Sequence, residues 1–150
     1  MGIIDPHQIC QIALVVKDIE AAAKNYAEIF GVEVPEIWLL APEEESHTKY
    51  RGLPTGTRAK LCVFELGSII LELTEPDEHP SSWKEFLEEK GEGVHHIGFM
   101  VKDREEALSA LEKRGIPVRH TGEYPGGSYT FVDSEAQLGV LLNLKYEPKN

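Results

Sequence analysis

Gln11-Ile-Ala-Leu-Val-Val-Lys-Asp18 and His96-Ile-Gly-Phe-Met-Val-Lys-Asp103 are two copies of one pattern, 85 residues apart. Each opens on a polar residue, runs through apolar positions and ends on Val-Lys-Asp. Each therefore reads as a buried strand followed by a helix N-cap. A helical stripe follows both: Ala21, Ala22, Tyr26 and Phe30 in the first, Ala107, Leu108 and Leu111 in the second. Both helical runs close on Gly before a β-branched residue, Gly31-Val32 and Gly115-Ile116, as helix C-termini often do. The later part of each half matches too. Ser68-Ile-Ile-Leu-Glu-Leu73 is like Gly139-Val-Leu-Leu-Asn-Leu144, at an offset of 71 residues. The shorter offset assigns extra length to the first half, in the polar stretch 41–57.

An internal repeat of this kind decides the architecture. Each half reads as strand, helix, then three strands. The first half has a strand at 9–16, a helix capped by Asp18, and strands near 35–40, 59–66 and 68–74. A linking helix near 81–89 starts at Ser81 or Ser82, with Glu85 placed to complete a capping box. The second half has a strand at 94–101, a helix at 104–114, and strands near 117–120, 128–132 and 138–145 around the Gly126-Gly127 turn. The expected fold is α+β: two βαβββ modules forming a curved mixed sheet around a central cavity. Module one covers about 7–76, the linker about 77–90 and module two about 91–146, within one domain of 150 residues. Ligand sites commonly lie where such halves meet.

Composition bounds the function. Hydrophobic residues make up 41% and charged residues 27%, an ordinary soluble balance. The net charge of −11 argues against nucleic acid, whose phosphates demand a basic patch. No apolar run approaches the roughly 18 residues of a membrane span, and residues 1–8 resemble no signal peptide, so a cytoplasmic location is expected. The acidic clusters at Glu43-Glu44-Glu45 and Glu85-Glu88-Glu89 read as solvated faces. Cys10 and Cys62 lie in apolar runs and read as buried thiols rather than a disulfide or zinc site.

The repeat singles out four positions: the equivalent pairs Gln11/His96 and Glu72/Asn143. All four are polar residues inside strongly apolar strands. A buried unpaired polar group costs several kcal/mol, so four at related places are expected to meet one another or a shared ion. Two amides, one imidazole and one carboxylate suit a divalent metal of the Zn, Ni, Co, Mn or Fe type. A neutral buried network, with Glu72 bonded to His96, is the alternative.

Several segments resemble the vicinal oxygen chelate superfamily, which includes glyoxalase I, methylmalonyl-CoA epimerase, extradiol dioxygenases and bleomycin-resistance proteins. The opening strand and helix through Gly31, Leu71-Glu-Leu-Thr-Glu-Pro76 and Gly139-Val-Leu-Leu-Asn-Leu144 carry the resemblance. Lys90-Gly-Glu-Gly-Val-His-His-Ile-Gly-Phe99 is most similar to the epimerase branch. The resemblance implies the paired βαβββ fold and puts the four metal ligands on Gln11, Glu72, His96 and Asn143. Asn143 departs from the pattern, because glyoxalase I and the epimerase usually place there a Glu that also moves a proton. An amide takes up no proton at neutral pH. The epimerase's other catalytic Glu falls near Leu61, so neither of its carboxylates has a clear counterpart.

The base must then come from elsewhere. Besides Glu72, the candidates are Glu65, which has the strand parity of Leu61, and His47, Lys49, Tyr50 and Arg51 in the extra loop. His95 alternates with His96 and should face the opposite side; Tyr124 and Tyr129 read as packing aromatics near the cavity rim. The leading function is a metal-dependent epimerase or racemase that moves a proton next to a carbonyl through an enolate. Its substrate would be a small-molecule carbonyl compound, a small aromatic ketone rather than methylmalonyl-CoA. The alternatives are a glyoxalase-type lyase on a thiol adduct of a 2-oxoaldehyde, and a non-catalytic small-molecule-binding protein. An extradiol dioxygenase is disfavoured, since His96 is the one His in a ligand-like position. A homodimer is the expected assembly, with the modules paired within one chain or across two.

Overall fold

A computed structural model describes residues 2–148. Module one consists of β1 (Ile9–Val15), α1 (Ile19–Phe30), β2 (Ile37–Leu39), β5 (Lys60–Glu65) and β6 (Ile70–Glu75). Between β2 and β5 lie α2 (Glu43–Ser46), β3 (Lys49–Tyr50) and β4 (Leu53–Pro54). The linking helix α3 (Ser82–Lys90) leads to module two: β7 (Gly93–Met100), α4 (Arg104–Lys113), β8 (Val118–Tyr124), β9 (Gly127–Val132), α5 (Glu135–Leu138) and β10 (Leu141–Tyr146).

All ten strands form one sheet in the order β2-β5-β6-β1-β7-β10-β9-β8-β3-β4. The order is a mirror about the β1–β7 join, so the two modules pair within this chain. In each module the first strand runs parallel to the last, β1 with β6 and β7 with β10. The extra segment crosses to the other module: β3 pairs with β8, Lys49 opposite Thr121 and Tyr50 opposite His120.

Local chemistry explains the helices. Asp18 and Asp103 cap α1 and α4 by accepting from the N–H groups of Ala21 and Glu106. Gly31 ends α1 in the left-handed region, φ 70°, where a side chain would be strained. Ser81 caps α3 by accepting from Lys84 N. This shifts the helix frame by one residue, so the expected capping box with Glu85 does not form. Glu85 instead bonds Tyr50 and Arg51.

Strand alternation divides the core in three. One outer cluster packs Ile19, Ala23 and Ala27 of α1 on Cys62, Phe64, Leu71 and Leu73. The other packs Ala107 and Leu111 of α4 on Val132, Leu142 and Leu144. The inner cluster belongs to both modules: Val15, Leu61, Tyr129, Phe131 and Leu141 meet Trp83 of α3. The inner face of the curved sheet, roofed by α3, is therefore where the modules share side chains.

Candidate functional site

Gln11, Glu72, His96 and Asn143 all point to that inner face and meet. Gln11 Nε2 donates to Glu72 Oε2 at 2.7 Å, and Asn143 Nδ2 donates to Gln11 Oε1 at 2.9 Å. His96 Nε2 lies 3.1 Å from the same Gln11 oxygen. Gln11, His96 and Asn143 are at most 2% exposed. Sheet register makes room for them. Ala13 stands opposite both Glu72 and His96, and Gly98 opposite both Gln11 and Asn143. A Cβ on Gly98 would lie 2.7 Å from Gln11 Oε1, so glycine is required for Gln11 to cross the strand.

The four side chains form one end of a cavity of about 130 Å³. Its walls are Trp38, Leu40, Leu61, Trp83, Tyr124, Tyr129 and Phe131, with Lys145 as the single cation among the described residues that line it. Glu72 is the single carboxylate there. Burial raises its pKa above the ordinary carboxylate value; Lys145 and the hydrogen bonds from Thr74 and Gln11 offset this in part. Leu61 lines the cavity with an apolar side chain.

The expected bases outside this set lie elsewhere. His47 is exposed and pairs with Glu123 at 3.0 Å. Lys49 is exposed. Tyr50 and Arg51 bind Glu85 on α3. Glu65 is exposed at the end of β5. None of the five lines the cavity. For the four loop residues the reason is the β3–β8 pairing, which pins the extra segment to the outer edge of module two; Glu65 stands instead at the exposed end of β5. The segment's polar groups staple an edge strand instead of reaching the join.

His95 also departs from expectation. In the β1–β7 ladder Ala13 pairs with His96 and Leu14 with Val94, so His95 is the extra residue of a β-bulge. The bulge turns His95 inward, between Phe86 and Phe131, with Nδ1 2.7 Å from His96 Nδ1. A second bulge at Cys10 occupies the equivalent place before Gln11. Burial pushes His95 down to about 3 and His96 well below its ordinary value, so both are neutral at pH 7.

Neutrality constrains the protons. The two Nδ1 atoms share one proton. If His96 holds it, the lone pair of His96 Nε2 faces the carbonyl oxygen of Gln11 at 3.1 Å, and a cation there would satisfy both. Gln11 Oε1, His96 Nε2 and a Glu72 oxygen are donors of the types that hold a divalent metal, and His95 orients His96 as outer partners of ligating histidines do. Asn143 differs. Its Oδ1 accepts from Thr130 N at 3.2 Å, so it presents its NH2 group to the site. The set that fits a metal is thus Gln11, Glu72 and His96, and Asn143 adds a hydrogen-bond donor.

Lys145, Trp38, Trp83 and Phe131 were not singled out by sequence. Lys145 had a usable signal, since it lies two residues beyond Asn143 and shares its face of β10. Trp83 had none, because only tertiary packing lays α3 over the sheet.

Residues 10–132 match the model of the Glyoxalase/Bleomycin resistance protein/Dioxygenase superfamily. The chain belongs to this superfamily. Among its relatives is YqjC of Bacillus subtilis (strain 168), an uncharacterized protein 34% identical over 97 residues, which span 61% of this chain and 67% of that one. Similar superfamily structures include methylmalonyl-CoA epimerase from Mycobacterium tuberculosis, with TM-score 0.66 and 18% identity over 95% of this chain and 89% of that one. Another is a methylmalonyl-CoA epimerase in complex with methylmalonyl-CoA and NH4+, with TM-score 0.64 and 25% identity over 93% and 94% of the two chains. Among the described residues no helix is long and apolar enough to cross a membrane.

Proposed function

We propose that the protein is an isomerase that moves a proton at a carbon next to a carbonyl. The observation that carries this reading is the convergence of Gln11, Glu72, His96 and Asn143 on one cavity in which Glu72 is the lone carboxylate. The likeness to methylmalonyl-CoA epimerases supports it.

Glu72 takes the proton. The C–H bond breaks, its electrons move onto the carbonyl oxygen to give an enolate, and the proton passes to a Glu72 oxygen. A carboxyl raised by burial is closer in basicity to the working pH than an exposed one, which favours transfer in both directions. Glu72 returns the proton to the enolate carbon, and the centre is inverted when the planar intermediate has first turned its other face to the carboxyl. Asn143 Nδ2 offers an N–H to the developing oxyanion, at a water-poor site where such a donor counts for more than in water. Trp83, Tyr129 and Phe131 exclude water. Gln11, Glu72 and His96 would hold a divalent metal, which when bound supplies Lewis-acid polarisation of the carbonyl.

The test is exchange of the α-proton in deuterium oxide, followed by NMR with Mn²⁺, Co²⁺, Ni²⁺ or Zn²⁺ present, over a panel of ketones and thioesters. Exchange with the wild type and none with Glu72→Gln is expected. No exchange with any of them overturns the reading.

A second reading is a small-molecule-binding protein without catalysis. It is favoured by the closure of the four polar side chains on one another by hydrogen bonds alone. A metal that binds the native state raises the thermal midpoint. An unmoved midpoint with all four ions, together with absent exchange, selects this reading.

A further inference from the structure

Lys145 has no contact assigned to it in the site beyond its through-space effect on Glu72. It lies on β10, two residues past Asn143, and lines the cavity. Its Nζ sits 5.4 Å from the centre of the Tyr124 ring. Tyr124 is itself fixed, since its hydroxyl donates to Glu147 Oε2 at 2.7 Å. No salt bridge among the described residues engages Lys145, although acidic residues outnumber basic ones 26 to 15. Lys145 acts on Glu72 only through space, so its ammonium N–H groups stay open to a ligand. Of the remaining lining, Leu40 and Leu61 offer an anion no donor, whereas the indole N–H of Trp83 is buried without a partner. The lining thus combines the polar groups of Gln11, Glu72, His96 and Asn143 with one cation and an apolar remainder.

Size narrows the occupant. About 130 Å³ is well below the roughly 300–1,000 Å³ of sites for drug-sized ligands. A short acyl unit fits inside, and a nucleotide-sized group does not.

We propose that Lys145 anchors a carboxylate of the substrate, so that the site selects small 2-oxo or 3-oxo acids over neutral ketones and esters. The proposal rests on the isomerase reading for the role of the carbonyl, and it adds the charge that fixes substrate class. The carboxylate takes the place beside Lys145 Nζ. The carbonyl oxygen then faces the amide of Asn143, and the hydrogen-bearing carbon next to the carbonyl, C3 of a 2-oxo acid or C2 of a 3-oxo acid, is presented to Glu72. An ion pair in this partly desolvated place is stronger than one at the surface.

The experiment is calorimetric titration of the full-length chain with pyruvate and with its neutral methyl ester. The wild type is expected to bind pyruvate at least about tenfold more tightly, the scale of a charge-assisted hydrogen bond. Lys145→Gln should bring pyruvate down to the level of the ester and leave the ester unchanged. Lys145→Arg should keep the preference, which separates loss of charge from loss of fold, and added salt should erode binding of pyruvate alone. Equal binding of the two probes, no binding of pyruvate, or a preference that survives Lys145→Gln overturns the proposal. Binding is read independently of turnover. Lys145-dependent pyruvate binding without α-proton exchange with any substrate overturns the isomerase and keeps the anchor; exchange on neutral ketones without this preference does the reverse.

Discussion

Module one and module two lay out their backbones by the same rule. Ala13 pairs with Glu72 as Gly98 pairs with Asn143, and Gln11 pairs with Ile70 as His96 pairs with Leu141. Each first strand carries one bulge immediately before its inward polar residue, at Cys10 in one and His95 in the other. The side chains on this common frame have diverged. Module one supplies the carboxylate and an amide that bonds three ways. Module two supplies two neutral imidazoles, a second amide and the lysine. The difference teaches that the frame fixes where the groups meet, while single residues on it decide whether a place is a base, a ligand or a donor.

The sharpest way to break the comparison is to make the modules alike. Glu72→Gln gives both modules an amide at the equivalent position. Loss of α-proton exchange by about 10²–10⁴-fold is expected, the range for removal of a general base, measured by NMR in deuterium oxide. An equal loss from Asn143→Ala would contradict the division of labour.

The bulge residues come next. His95→Phe fills the space but removes the partner of His96 Nδ1. A drop of roughly 10–100-fold in affinity for Ni²⁺ or Zn²⁺ is expected by calorimetric titration. Cys10→Ala, at the equivalent bulge, should leave that affinity within about twofold, since Cys10 makes no bond to Gln11.

The small residues under the site follow. Gly98→Ala drives a methyl into Gln11 and should destabilise by about 1–3 kcal/mol in urea unfolding while abolishing the metal-induced rise in midpoint. Ala13→Gly should cost only about 0.5–1 kcal/mol and keep that rise.

The buried imidazoles set a pH dependence. His95 is held down to about 3 by burial, and His120, with Nδ1 2.9 Å from Ser82 Oγ, well below its ordinary value. Unfolded histidine takes up a proton near about 6.5. A lowered folded value means that the unfolded state binds the extra proton. Stability is therefore fully present above about 6.5 and is lost progressively as pH falls from there toward 3. Glu72 acts in the opposite sense, since its raised value favours the folded state below the ordinary carboxylate pKa and that contribution fades as pH rises. Three buried histidines outweigh one carboxyl, so the thermal midpoint should fall with acidification, and His120→Gln should flatten the slope.

The smallest effect concerns the segment that has no counterpart in module two. His47 adopts φ 48°, a left-handed conformation that favours glycine. His47→Gly should add about 0.5–1 kcal/mol of stability and leave proton exchange unchanged. A lower exchange rate in this variant would return the segment to the chemistry.

Much of this protein was legible in its sequence, because a period-2 strand advertises its buried face. Gln11, Glu72, His96 and Asn143 stood out as polar residues on apolar strands, and the repeat paired them before any coordinates. The mirror order of strands and the three-part core follow from the same alternation. What failed was inference about backbone irregularity and long-range pairing. A bulge breaks the alternation that placed His95 on the far side, and β3 pairs with a strand some 70 residues later, carrying His47, Lys49, Tyr50 and Arg51 away from the join. The orientation of Asn143 depends on the N–H of Thr130 on the neighbouring strand, and the neutrality of His95 and His96 on the aromatic packing around them. Local pattern therefore determined which residues face inward. Only tertiary contacts, through a ladder slip of one residue and the desolvation that follows closure of α3 over the sheet, decided which of them carry charge, donate a hydrogen bond or hold a lone pair ready.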